Sequence, residues 1–158
     1  MKVLGFTGHR LSKLEGDTVH NHTRLFDLAK AVLERAQPDL IFVGMEPTGW
    51  DMAVAKAAAE NPDIAIHAAI PYEGHENKYR DFLAKCRHQT FVSTGGYSVK
   101  KLHKRNEFIV DNIKGKGPLI ALWDGTKSGT SNAVSYAQSQ GVEVINVWNS
   151  WIKYKDLK

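Results

Sequence analysis

The residues best suited to chemistry follow an apolar run, Pro118 to Trp123, and read Asp124-Gly125-Thr126-Lys127-Ser128-Gly129-Thr130-Ser131 before a helical pattern begins. Two readings are open. The stretch is a loop ending in a helix N-cap, or it holds an anion against a helix N-terminus. Gly125 and Gly129 let a ligand approach the backbone, and Ser128, Thr130 and Ser131 supply hydroxyls. The helix that follows adds unpaired N–H groups and the positive end of its dipole. Each dipole interaction is worth only about 0.3–1 kcal/mol at an exposed site, so hydrogen bonds carry most of the affinity. The order of residues is not GxxxxGK[ST], which excludes a P-loop, and no GxGxxG follows the first apolar run.

Other apolar runs end in comparable residues. Thr7-Gly8-His9-Arg10 offers a permissive glycine and a forked, permanently charged donor for phosphate or carboxylate, or else a tight turn with a surface arginine. Gly44-Met45-Glu46-Pro47-Thr48-Gly49-Trp50-Asp51 combines two glycines, two acids and an indole. Asp51 is placed to cap the next helix. Glu46 could accept ribose hydroxyls, and Trp50 either stacks on a base or is buried. Glu46 and Asp51 are also the weak candidates for a catalytic carboxylate. A third segment, Pro71 to Tyr79, is polar and aromatic. Its His75-Glu76 does not match a metal-ligand spacing, and seven scattered histidines with one cysteine give no zinc site; neither metal nor cofactor is expected. Lys101 and Arg105 lie one helical turn apart, as a solvated basic face or one that reaches the ligand loops.

The elements that must position these residues alternate. Apolar, β-branched strands are expected at 2–7, 40–43, 64–70, 90–93, 119–123 and 142–147. Helices are expected at 23–36, 51–59, 77–87, 99–113 and 131–138. Such alternation argues βαβ units, hence an α/β fold with a mostly parallel sheet and helices on both faces. Ligands in such sheets bind beyond the carboxyl ends of the strands, where the residues above lie.

The 158 residues suit one domain spanning 1–158, with no repeat or linker. At 42% hydrophobic and 24% charged, the composition is that of a soluble globular protein, and no apolar stretch approaches the roughly 20 residues of a membrane span. The N-terminal apolar stretch is too short for a secretory signal, so cytoplasmic residence is expected. The lone Cys86 excludes an internal disulfide framework and, in a predicted helix, reads as structural. The net charge of +4 concentrates in Lys100 to Arg105 and in the tail Lys153 to Lys158. Such runs are solvated helix faces or attract phosphate.

Taken in order, TGHR, GMEPTGWD, AAIPYEGHENKY, YSVKKLHKRNEFIVD and LIALWDGTKSGTSNAVSYAQSQGVEVINV resemble the YpsA-like branch of the SLOG superfamily. That superfamily also contains DNA-processing protein A and the phosphoribohydrolases called Lonely guy. The resemblance covers nearly the whole chain. It implies a Rossmann-like domain, a pocket for a nucleotide or nucleotide-derived molecule, and a homodimer. The hydrolase branch carries PGGxGTxxE; matching its GT to Gly129-Thr130 puts Ala133 where the catalytic glutamate would be.

The primary expectation is therefore a non-catalytic module that binds a nucleotide or an ADP-ribose-like ligand as sensor, regulator or sequestering protein. Its candidate contacts are Thr7, Gly8, His9, Arg10, Gly44, Met45, Glu46, Gly49, Asp51, Arg105, Asp124, Gly125, Ser128, Gly129, Thr130 and Ser131. The alternatives are an N-glycosidase or phosphoribohydrolase acting on nucleoside monophosphates, and single-stranded DNA binding, for which no recognition helix or stacking motif stands out.

Overall fold

The computed structural model describes residues 1–155. Asp156 to Lys158 of the basic tail lie outside the described residues. Strands β1 (Val3–Gly8), β2 (Leu40–Val43), β3 (Ala65–Ile70), β4 (His88–Phe91), β5 (Leu119–Leu122) and β6 (Val144–Asn146) form one sheet in the order β4-β3-β2-β1-β5-β6. Every pairing is parallel. The helices are α1 (Val19–Ala36), α2 (Trp50–Ala59), α3 (Val99–Ile113), α4 (Gly129–Ser139) and α5 (Trp148–Lys155). This is a Rossmann-like α/β architecture.

Burial on both faces explains why the central strands are unbroken apolar runs. Leu4 and Phe6 of β1 pack with Leu25, Leu28, Trp50, Val54 and Trp151 from α1, α2 and α5. Val3 packs on the other side, with Ile109, Val110, Ile113, Ala133 and Ala137 from α3 and α4. The chain leaves β1 in one direction through β2, β3 and β4, then returns through α3 to place β5 against the free side of β1. That reversal opens a crevice at the carboxyl ends of β1 and β5. Register sets its floor: Gly8 lies opposite Leu122, and Phe6 opposite Val43. The loops beginning near His9, Trp123 and Gly44 therefore leave the sheet at neighbouring levels.

Several local expectations are corrected. Helix α1 begins at Val19, not Thr23, because Thr18 accepts a hydrogen bond from the Asn21 amide and caps it. Helix α2 is capped at Gly49, so Asp51 is not its N-cap but sits buried in its first turn. The helix expected over 77–87 is replaced by two 3₁₀ segments, His75–Lys78 and Arg80–Lys85. They break at Tyr79, whose backbone is extended in φ (−149°) and whose hydroxyl lies 2.5 Å from His75 Nδ1. Cys86 is buried at the end of the second segment, and burial pushes its thiol up to about 11. The fourth strand is His88–Phe91, earlier than expected and at the sheet edge. The tail through Lys155 forms α5, which packs on its own subunit with Trp151 fully enclosed. Among the described residues, no helix is long and apolar enough to cross a membrane.

Candidate functional site

A cleft of about 430 Å³ lies over the crevice between β1 and β5. That is within the roughly 300–1,000 Å³ typical of small-molecule sites. Four chain segments build it.

The first is the end of β1. His9 is buried and ties the β1 and β5 loops together. Its Nε2 lies 2.9 Å from Asp124 Oδ1 and accepts from the Asp124 amide at 3.1 Å; its Nδ1 is 3.5 Å from Thr130 Oγ1. Trp148 of α5 packs perpendicular to the ring, with centroids 6.4 Å apart. Arg10, mostly exposed, places Nε 3.8 Å from Glu46 Oε1. The backbone here is clamped to the start of α2: Arg10 and Gly49 form an antiparallel bridge, and the Trp50 amide donates to His9 O at 3.2 Å. A Cβ on Gly49 would strike the His9 carbonyl, and one on Gly8 would strike the Trp50 ring.

The second is the β2 loop. Met45 turns it through the left-handed region (φ 64°) with its side chain fully buried. Asp51 is 5% exposed; its Oδ2 accepts from the Glu46 amide at 3.3 Å, while Oδ1 has no hydrogen-bond partner. Trp50 Nε1 is likewise buried without one, so this indole is a core residue. Burial raises the Asp51 carboxyl to about 6; Arg105 opposes the shift, and Glu46 adds to it. Such a group exchanges a proton near neutrality.

The third is α3. Arg105, which the sequence left between a solvated face and a reach toward the loops, is 8% exposed and turned inward. Its Nη1 donates to Gly44 O at 2.5 Å and its Nε to Asn106 Oδ1 at 3.0 Å. A Cβ on Gly44 would come 2.7 Å from Nη1, so glycine makes room for the guanidinium. Asn106 in turn donates through Nδ2 to Gly129 O at 3.2 Å and to Asn132 Oδ1 at 3.3 Å, linking α3 to the first turn of α4.

The fourth is the β5 loop. Ser128 and Ser131 form a reciprocal capping box: the Ser131 amide donates to Ser128 Oγ at 3.2 Å, and the Ser128 amide to Ser131 Oγ at 2.7 Å. The first two helical amides, of Gly129 and Thr130, have no intrahelical acceptor and lie at the cleft. The Asp124 carboxylate accepts from Thr126 N at 3.0 Å and Thr126 Oγ1 at 2.6 Å. These bonds hold it well below the usual carboxylate range.

Of the residues singled out by sequence, Thr7, Gly8, His9, Arg10, Glu46, Asp51, Arg105, Ser128, Gly129 and Thr130 line one cleft. Gly44, Met45 and Gly49 shape the walls behind it. Asp124, Gly125 and Ser131 do not line it; Asp124 and Ser131 are spent on the turn and the cap. Ser12, Lys13, Tyr97, Val99, Leu102, His103 and Asn106 also line it and were not singled out. Only Asn106 carried a signal, as neighbour of Arg105 in the RN-x-x-x-VD block; the others arrive by way of the fold. Ala133 is buried in the core between α4 and α3, so that position presents nothing to the cleft. No group of metal ligands is found among the described residues.

Two solved structures share this architecture. DNA processing protein A from Streptococcus pneumoniae superposes with a TM-score of 0.62 at 15% identity, over 92% of this chain and 50% of that one. The chain shares the fold of the matched half of that protein. The same protein from Helicobacter pylori, described for its single-stranded DNA binding mode, gives a TM-score of 0.59 at 13% identity, over 92% of this chain and 64% of that one. A curated relative, the uncharacterized SPbeta prophage-derived protein YoqJ of Bacillus subtilis, is 41% identical over 44 residues, which are 28% of this chain and 24% of that protein. The chain thus spans less than two thirds of each of these proteins, and no family model matches it.

Proposed function

We propose that the cleft binds a nucleotide or nucleotide-derived ligand of the ADP-ribose kind, and that the protein acts as a sensor, regulator or sequestering module of the YpsA-like branch. One observation carries this: Arg10, Lys13, Arg105 and the first amides of α4 converge on one cleft with the carboxylates Glu46 and Asp51. The cations and amides suit a phosphate, and the carboxylates suit ribose hydroxyls. A panel of nucleotides, dinucleotides and ADP-ribose tested by thermal shift decides it. A ligand at about 100 times its Kd stabilises the fold by roughly 2.7 kcal/mol, and Arg10→Ala weakens that response. A panel without any response overturns the reading. A homodimer in the cytoplasm belongs to the same proposal, and the mass in solution by light scattering tests the dimer.

Two observations favour other functions. The raised carboxyl of Asp51, a residue that lines the cleft and whose buried Oδ1 has no partner, supports N-glycosidic cleavage of a nucleoside monophosphate. With Ala133 in the core, binding without cleavage is the expected result; free base released by the wild type and not by Asp51→Asn would establish the enzyme instead. The likeness to DNA processing protein A, together with Lys100, Lys101 and Lys104 on α3, supports single-stranded DNA binding. Retention of a labelled oligonucleotide at about 50 mM salt and steep loss by about 200 mM would mark it.

A further inference from the structure

The lining of the cleft is of two chemical kinds. Arg10, Lys13, Ser128 and the first residues of α4 are cationic or polar. Tyr97, Val99 and Leu102, from the start of α3 and the loop before it, form an apolar lip. Tyr97 is 66% exposed and Val99 54%, among the most exposed large apolar side chains described. We infer that this lip is the stacking platform for the base of the nucleotide. This rests on the nucleotide reading above and adds which lining residues take the base.

The lip is held in place. Ser98 caps α3 by accepting from the Lys101 amide at 3.2 Å, which fixes Val99 and Leu102 one turn apart on one helical face. Lys101 reaches back to donate through Nζ to Gly96 O at 2.7 Å, pinning the residue before Tyr97. The Tyr97 ring stands perpendicular to Tyr72, with centroids 6.0 Å apart at 86°. Tyr72 is itself buried and perpendicular to His75 at 5.2 Å and 80°. The aromatic series behind Tyr97 sets the attitude of its ring and leaves most of its surface open beside the cleft. A sugar phosphate or pyrophosphate would satisfy the cationic residues and leave this surface in water. A ligand that uses both kinds of lining joins a phosphate to a flat aromatic group, and base-on-aromatic stacking tolerates any of the four bases.

Calorimetric titration of the wild type, Tyr97→Ala and Tyr97→Phe with the four nucleoside 5′-monophosphates and with ribose 5-phosphate tests this. At least one nucleotide binds the wild type about tenfold or more tighter than ribose 5-phosphate. Tyr97→Ala removes about tenfold of that nucleotide's affinity, leaves ribose 5-phosphate binding unchanged, and Tyr97→Phe restores the difference. Nucleotide binding that is indifferent to Tyr97→Ala overturns the platform while the nucleotide reading stands. A wild type that binds none of these ligands and gives no response to the dinucleotides and ADP-ribose of the thermal-shift panel overturns both.

Discussion

The β5 loop and the β2 loop both contribute to the cleft, and they handle polar groups in opposite ways. The β5 loop satisfies itself: Ser128 and Ser131 cap each other, Asp124 accepts from Thr126, and Trp123 Nε1 donates to Thr126 O at 2.7 Å. What it offers a ligand is backbone N–H. The β2 loop is strained and incomplete. It carries a left-handed Met45, a buried arginine on a carbonyl, and two buried polar atoms without partners. Unsatisfied buried groups destabilise a fold by about 1–3 kcal/mol each and gather where function requires them. Hydroxyl-rich sequence thus marks a well-made turn, whereas the unpartnered polar atoms lie where the less conspicuous loop enters α2.

The largest expected difference tests steric tolerance. Gly49→Ala drives a Cβ into the His9 carbonyl and lowers stability by about 3 kcal/mol in denaturant titration. Gly129→Ala, with nothing within 4 Å of the added carbon, changes it by less than about 0.5 kcal/mol. Equal effects would erase the contrast between the loops.

Next is Asp51→Asn. The carboxyl rises from 3.8 unfolded to about 6 folded, so the native state holds the extra proton between those values. Wild-type stability from this group is greatest at low pH and falls as pH rises from about 4 to 6. The asparagine variant escapes that loss and is more stable at pH 7.5 by about 2 kcal/mol, an advantage that fades toward pH 4. Melting curves across that range check the sign; a variant less stable at pH 7.5 would show that Asp51 is not held against its ionisation.

His75 slopes the other way. Burial first, then Lys78 and Arg105, lowers it from 6.5 to about 4, so the unfolded chain takes up the proton before the native state does. Its contribution is complete above pH 6.5 and is lost as pH falls toward 4. Wild type combines both slopes, and Asp51→Asn exposes the His75 loss as a steeper decline on acidification. A smaller loss, about 1 kcal/mol, is expected of Ser128→Ala, which removes a cap.

The alternation of strand and helix was legible because buried parallel strands must be apolar on both faces and helices show their period. The expectation that the Arg10, Glu46 and Ser128 loops lie together came from reading strand ends, and these residues line one cleft. The rest depended on contacts between distant residues. Arg105 shares its turn with Lys101, and only the bare backbone of Gly44 reveals that its guanidinium turns inward. Asp51 has the composition of a cap, yet the bridge from Arg10 makes Gly49 the first capping position. Tyr97 and Leu102 belong to a segment far from β1 in sequence, and it is the return crossing through α3 that lays them beside it. The aromatic residues of α5 span too few turns for a period to show.

The bracing of His9 has a consequence for biogenesis. Its partners are Asp124 and Trp148, and β1 gains its second neighbour only with β5. As the polypeptide leaves the ribosome, the first loop waits for nearly all of the described chain before it can settle. Until then β1 presents an unpaired edge open to mispairing. Its pairing with β5 spans more than a hundred residues, a separation of the kind that slows folding. The cleft is thus among the last parts of the molecule to mature, because its Ser128–Thr130 wall and the Trp148 contact to His9 both lie late in the chain.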